Sequence, residues 1–175
     1  MKTILIIFLS FFVNQLSFSQ THITLIYTGT THNVTEAVKV ANEILNNKDF
    51  YGQIGKIQKF DNSILRGKDI ADRIEKASQQ IIVVRKNKPK AIASTSTSDQ
   101  INISRKLFGI DSTKNFDLAT AVNTLIHETV HAVDYLGTGN EFTHNGNSSK
   151  GQENTAPWMI GAIAEEILQQ DRFKH

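Results

Sequence analysis

The stretch that governs the fold reads Asp117-Leu-Ala-Thr-Ala-Val-Asn-Thr-Leu-Ile-His-Glu-Thr-Val-His-Ala-Val-Asp-Tyr-Leu-Gly137. Placed on a helical wheel at about 100° per residue, Leu118, Ala121, Val122, Leu125, Ala132, Val133 and Leu136 share one arc. Thr120, Asn123, Thr124, His127, Glu128, His131, Asp134 and Tyr135 share the opposite arc. Segregation sustained over this length predicts one long amphipathic helix. Asp117 is suited to the N-cap and Gly137 to the stop just past the end, with Gly139 reinforcing the break.

Working outward, a last helix is expected from about Thr155 to Gln170, with Pro157 in its first turn and Trp158, Ile160, Ile163, Ile167 and Leu168 as apolar contacts. Upstream, His22 to Thr28 alternates and is rich in β-formers, which predicts a first strand. Thr31 to Asn47 carries apolar residues at helical spacing and ends in Asn-Asn. Residues 48–66 are ambiguous, with Gly52 and Gly55 interrupting a strand-like run from Ile54 to Phe60. Lys68 to Ser78 reads as a weak amphipathic helix. Gln80–Val84 and Ile101–Arg105 read as strands, either a hairpin or neighbours, and the Lys86-to-Lys90 run reads as a turn. Neither a repeat nor a linker divides the chain, so a single α+β domain is expected.

The 175 residues are 39% apolar and 21% charged with a formal net charge of +2, which gives no global reason to expect nucleic acid as a partner. Zero cysteines exclude disulfides, thiolate metal sites and Cys nucleophiles, so any metal must rest on His, Asp, Glu or other oxygen ligands. Lys2 followed by the apolar run Ile4–Val13 and then the small residues Ser17 and Ser19 reads as a secretory signal peptide over residues 1–19. That run is short for a membrane span, which needs about 20 apolar residues. Cleavage after Ser19 would leave residues 20–175 as one exported domain, secreted or periplasmic and bacterial in its Asn-, Lys- and Ile-rich composition, with no membrane association after signal removal.

The chemistry lies in His127-Glu128-Thr129-Val130-His131. Residues four apart on a helix project from one face, so both imidazoles can converge on one ion. Zinc accepts neutral imidazole nitrogens and, at a catalytic centre, takes a third protein ligand and leaves one position open for water. Glu128 sits beside the ligands rather than among them, where a carboxylate can act as general base. Three residues compete for the third ligand. His144 lies in the Gly- and Asn-rich loop from Gly137 to Gly151 and ranks first; Glu153 ranks second. Asp134 shares the helix face and is expected to orient an imidazole N–H or close the cleft rather than bind metal. Tyr135 is a candidate oxyanion donor and Arg105 a candidate binder of a substrate carboxylate, whereas His22 and His32 have no assigned place.

On these residues the chain resembles the zincin metallopeptidases, and more loosely the compact bacterial effector and toxin metallopeptidases. The resemblance extends over about Gln80 to Gln170, but only the five-residue motif is specific. It implies a small mixed sheet packed on the long active-site helix, followed by a C-terminal helix, with Zn2+ as cofactor and a protein or peptide as substrate. It also implies an edge strand that binds substrate in extended form, for which Gln80–Val84 and Ile101–Arg105 are the candidates. The subfamily patterns are not met. Asp134 and Gly137 stand where metzincins have Gly and His, and Gly137-Thr138-Gly139-Asn140 lacks the ligand carboxylate of aspzincins. Glu153, 22 residues past His131, matches the gluzincin spacing but precedes its helix. The alternatives from other classes are a secreted, catalytically inactive zincin-like binding protein and an amidase of cell-wall peptides. Residues 20–79 would form a substrate-side lobe, an inhibitory segment or part of the sheet, and oligomeric state is left open.

Overall fold

Alternating apolar residues on short strands build a sheet with one face turned to the core. Leu25, Ile81, Val83, Ile101 and Ile103 lie on that face, none more than 3% exposed, and cross-strand pairing aligns them in register. The computed structural model describes residues 22–61, 63–86, 92–105, 116–144 and 150–172. The expected signal peptide and most of the Lys86-to-Lys90 turn lie outside the described residues.

In chain order the elements are β1 (Thr24–Ile26), α1 (His32–Leu45), α2 (Lys48–Ile54), α3 (Gly67–Lys76), β2 (Gln80–Lys86), β3 (Ala93–Thr95), β4 (Gln100–Ser104), α4 (Leu118–Leu136) and α5 (Ala156–Arg172). The sheet order is β1-β2-β4-β3. The first three of these run parallel and β3 is antiparallel to β4. This is an α+β protein with a small mixed sheet, a long helix and a C-terminal helix, as expected. The two strands read from sequence are parallel neighbours in the interior of the sheet, not a hairpin and not edges. The edges are β1 and β3. At β1 the side chain of Asn42, on α1, imitates a further strand: its Oδ1 accepts from Leu25 N–H at 2.8 Å and its Nδ2 donates to the Leu25 carbonyl at 2.9 Å.

Residues 48–66 open with the helix α2, and the strand-like run from Ile54 to Phe60 forms no strand: it begins at the last residue of α2 and continues as turn and irregular chain. Asn47 caps α2 by accepting from Asp49 N–H at 2.9 Å, and Phe50 and Ile54, one turn apart, are fully buried. Gly52, inside α2, does not break it.

Helix α4 runs between the sheet and the other helices, packing on β3 and β4, on α1 and most extensively on α5. Gly161 permits the close approach of α5, because a Cβ there would sit 2.5 Å from Asn123 Oδ1 and 3.0 Å from the Asn123 carbonyl oxygen. In consequence the polar arc of α4 is exposed only toward its ends, at Thr120 and Tyr135. From Leu125 to Asp134 every residue is buried. Among the described residues no helix is long and apolar enough to cross a membrane.

Candidate metal centre

Burying a polar helix face is costly unless its groups are satisfied. Helix α4 concentrates its buried polar side chains in its third and fourth turns. Its start is fixed by Asp117, whose carboxylate accepts from Ala119 N–H at 3.0 Å, and its end comes at Gly137. Thr129 and Val130, inside the motif, are in the core at 0% and 1% exposure. That leaves His127 and His131 turned toward a shared space, with Glu128 beside His127 on the helix; His127, Glu128 and His131 are exposed by only 6%, 7% and 9%.

Past Gly137 the chain turns straight back. Gly139 adopts φ 78°, a conformation open to glycine, and its N–H donates to the Asp134 carbonyl at 2.9 Å. The Asp134 carboxylate then catches three successive amides: Oδ1 accepts from Glu141 N–H at 3.2 Å, and Oδ2 from Phe142 at 3.2 Å and Thr143 at 3.0 Å. The buried Phe142 ring and an ion pair between Arg73, on α3, and Glu141 fasten the same segment from other sides. The next residue is His144.

The three imidazoles meet at their Nε2 atoms. His127 and His131 are 3.3 Å apart, His131 and His144 3.2 Å, and His127 and His144 3.1 Å. Three imidazoles bound at about 2.0–2.1 Å in tetrahedral geometry have nitrogens roughly 3.3 Å apart, so this triangle has the size a single small cation requires. The set can hold a metal ion. Burial and the neighbouring imidazoles lower the pKa of His127 to about 2. Burial and His144 lower that of His131 to about 4. Both rings are thereby neutral, the ligating form, at ordinary pH.

Glu128 is placed differently. Burial pushes its carboxyl up to about 7, with hydrogen bonds from the side chain and backbone of Thr95 opposing the rise. Thr95 belongs to the edge strand β3, and its hydroxyl lies within donating distance, 3.2 Å, of the Glu128 carbonyl oxygen, tying that edge to the helix. A cation in the triad would draw the carboxyl back toward its ionised form. Trp158, on α5, meets the His127 ring edge-on at 4.6 Å and lies nearly parallel to His144 at 6.1 Å.

Compared with known families, curated proteins and solved structures, the chain matches none.

Of the residues singled out from sequence, the structure brings together His127, His131 and His144, with Glu128 the neighbour of His127 on the helix. Glu153 is outside: it is exposed and its Oε1 accepts from Gly151 N–H at 3.1 Å, before α5 begins. Asp134 closes the structure around His144, through backbone amides rather than an imidazole N–H. Tyr135 is 40% exposed and covers Gly139, and Arg105 follows β4, half-buried. His22 Nδ1 lies 3.1 Å from the Glu75 carbonyl and His32 lies near Glu36 on an exposed face. Sequence reasoning missed Thr95, Trp158, Arg73 and Glu141. Trp158 carried a signal only as a large aromatic in the first turn of a helix following the motif.

Proposed function

We propose that this protein is an exported zinc-dependent metallopeptidase of zincin type, hydrolysing peptide bonds with Glu128 as general base. The observation that carries the reading is the triangle of His127, His131 and His144 Nε2 atoms, 3.1–3.3 Å on each side, with a buried carboxyl on the adjacent helix position. Three imidazole ligands leave a fourth position for water, the ligand count of a catalytic rather than a structural zinc. The long helix under a small sheet with an antiparallel edge strand beside it supports the same reading, and the apolar run Ile4–Val13 supports export.

Zinc at such a centre supplies Lewis acidity, lowering the pKa of water and polarising a carbonyl oxygen. The chain's own contribution begins with Glu128, whose carboxylate accepts a proton from the attacking water. The water oxygen adds to the carbonyl carbon, the C–N bond breaks, and Glu128 returns the proton to the departing nitrogen. A cation in the triad favours the ionised carboxylate that the first half of that transfer needs. Thr95 keeps the carboxyl oriented and holds β3 next to it, so an extended peptide laid along that edge passes the catalytic residue.

The test compares wild type with Glu128→Gln on denatured proteins and peptide libraries while zinc content is measured. Zinc retained and peptide cleavage lost, typically by a factor of about 10²–10⁴, is expected. Zinc retained by both and cleavage by neither would favour the binding-protein reading.

A further inference from the structure

We infer that Asp134 is the positioning residue that builds the third metal ligand, holding His144 at the centre before any metal arrives. This rests on the metal-centre reading but not on hydrolysis. The helix alone can present only His127 and His131; the third imidazole must come from a segment outside it, and irregular chain has no ladder of its own to fix it. Here the fixing group is a carboxylate 1% exposed, one turn beyond His131, whose two oxygens take up the three amides immediately preceding His144. Its own carbonyl oxygen takes two more, from Gly137 and Gly139. One residue thus terminates the helix, reverses the chain and seats the ligand.

Further contacts of the arm act on two of the same residues, Glu141 and Phe142. Arg73 pairs with Glu141 and its guanidinium lies 5.8 Å from the centre of the Phe142 ring, and Phe142 is 1% exposed. Their effect on the metal passes through the position of His144. Asparagine at 134 keeps the shape but replaces one acceptor oxygen with a donor. Whichever way the amide is turned, at least one of the three N–H groups then faces an N–H.

The experiment measures zinc affinity by chelator competition and the visible spectrum of the cobalt(II)-loaded protein, for wild type, Asp134→Asn, His144→Ala and the double variant. Asp134→Asn is expected to weaken zinc binding roughly 10–100-fold and to shift the cobalt spectrum in the direction His144→Ala shifts it. Added to His144→Ala, it should cost nothing further, because the arm then carries no ligand. Wild-type affinity in Asp134→Asn, or an equal loss in the His144→Ala background, would overturn the inference. Failure of the wild type to bind either metal would instead remove the metal-centre reading, and the inference with it. Should Asp134→Asn fail to fold, hydrogen exchange on the metal-free wild type decides. Protected amides at Glu141, Phe142 and Thr143 support a preformed arm, and free exchange until zinc is added overturns it.

Discussion

Replacing Glu128 by Gln is expected to stabilise the metal-free protein, and to do so only above mildly acidic pH. In the folded chain the carboxyl, 7% exposed, is raised from its ordinary 4.5 to about 7, chiefly by burial. A folded-state pKa above the unfolded one means the native state holds its proton more tightly. The associated stability is present below about 4.5 and is lost as pH rises through 7. The rise corresponds to about 3 kcal/mol at one tenfold step per pH unit. Gln has nearly the same shape, keeps an acceptor for Thr95 and carries no charge to desolvate. In chelator-treated protein the stability advantage of Glu128→Gln over wild type should therefore grow by about 3 kcal/mol between pH 4.5 and 8, read from urea unfolding at each pH. Excess zinc should shrink the difference at pH 8, since a nearby cation relieves the buried charge. An advantage that is the same at pH 4.5 and 8 would refute the claim that burial keeps this carboxyl near neutrality.

In the Glu128→Gln background the two imidazoles can be seen alone. His127 and His131, lowered to about 2 and 4, take up protons more readily when unfolded, so metal-free stability should fall as pH drops below about 6.5, measured by the same unfolding titration. Phe142→Ala empties a site 1% exposed and should cost about 3–5 kcal/mol in denaturant unfolding, with weaker zinc binding because His144 lies two residues on. Gly161→Val forces a side chain to within 2.5 Å of Asn123 Oδ1 and should lower stability by about 1–3 kcal/mol in the same assay.

How far the sequence could be read depended on whether the deciding interactions were local. Helix α4 was expected between Asp117 and Gly137 and spans Leu118–Leu136, because its periodicity, its cap and its stop are all written within reach of one another. The same locality placed His127 and His131 one turn apart. Strand β3 was invisible: Ala93–Thr95 is three residues of a Ser/Thr-rich run whose extended form comes from pairing with β4, not from its own pattern. Gln80–Val84 and Ile101–Arg105, the candidates for an edge strand that the zincin resemblance implies, lie in the sheet interior for a related reason. Strand order depends on how the chain crosses over, and each strand's composition is silent about its neighbours.

The third ligand was the sharpest case. Spacing left His144 and Glu153 in competition because the path between Gly137 and Gly151 was open. What brings His144, and not Glu153, beside the two helix histidines is a set of hydrogen bonds from backbone amides to Asp134, and backbone amides have no signature in a sequence. Thr95 and Trp158 reach the site from elements far along the chain on either side and share no motif with it.

Zinc K-edge X-ray absorption on stoichiometrically loaded wild type, beside His144→Ala, addresses the central claim most directly. One zinc per chain surrounded by three imidazoles and one further light atom at about 2.0–2.1 Å, with one imidazole missing in the variant, is the predicted result. A wild type that takes up no zinc, or a zinc environment unchanged by the loss of His144, would contradict it.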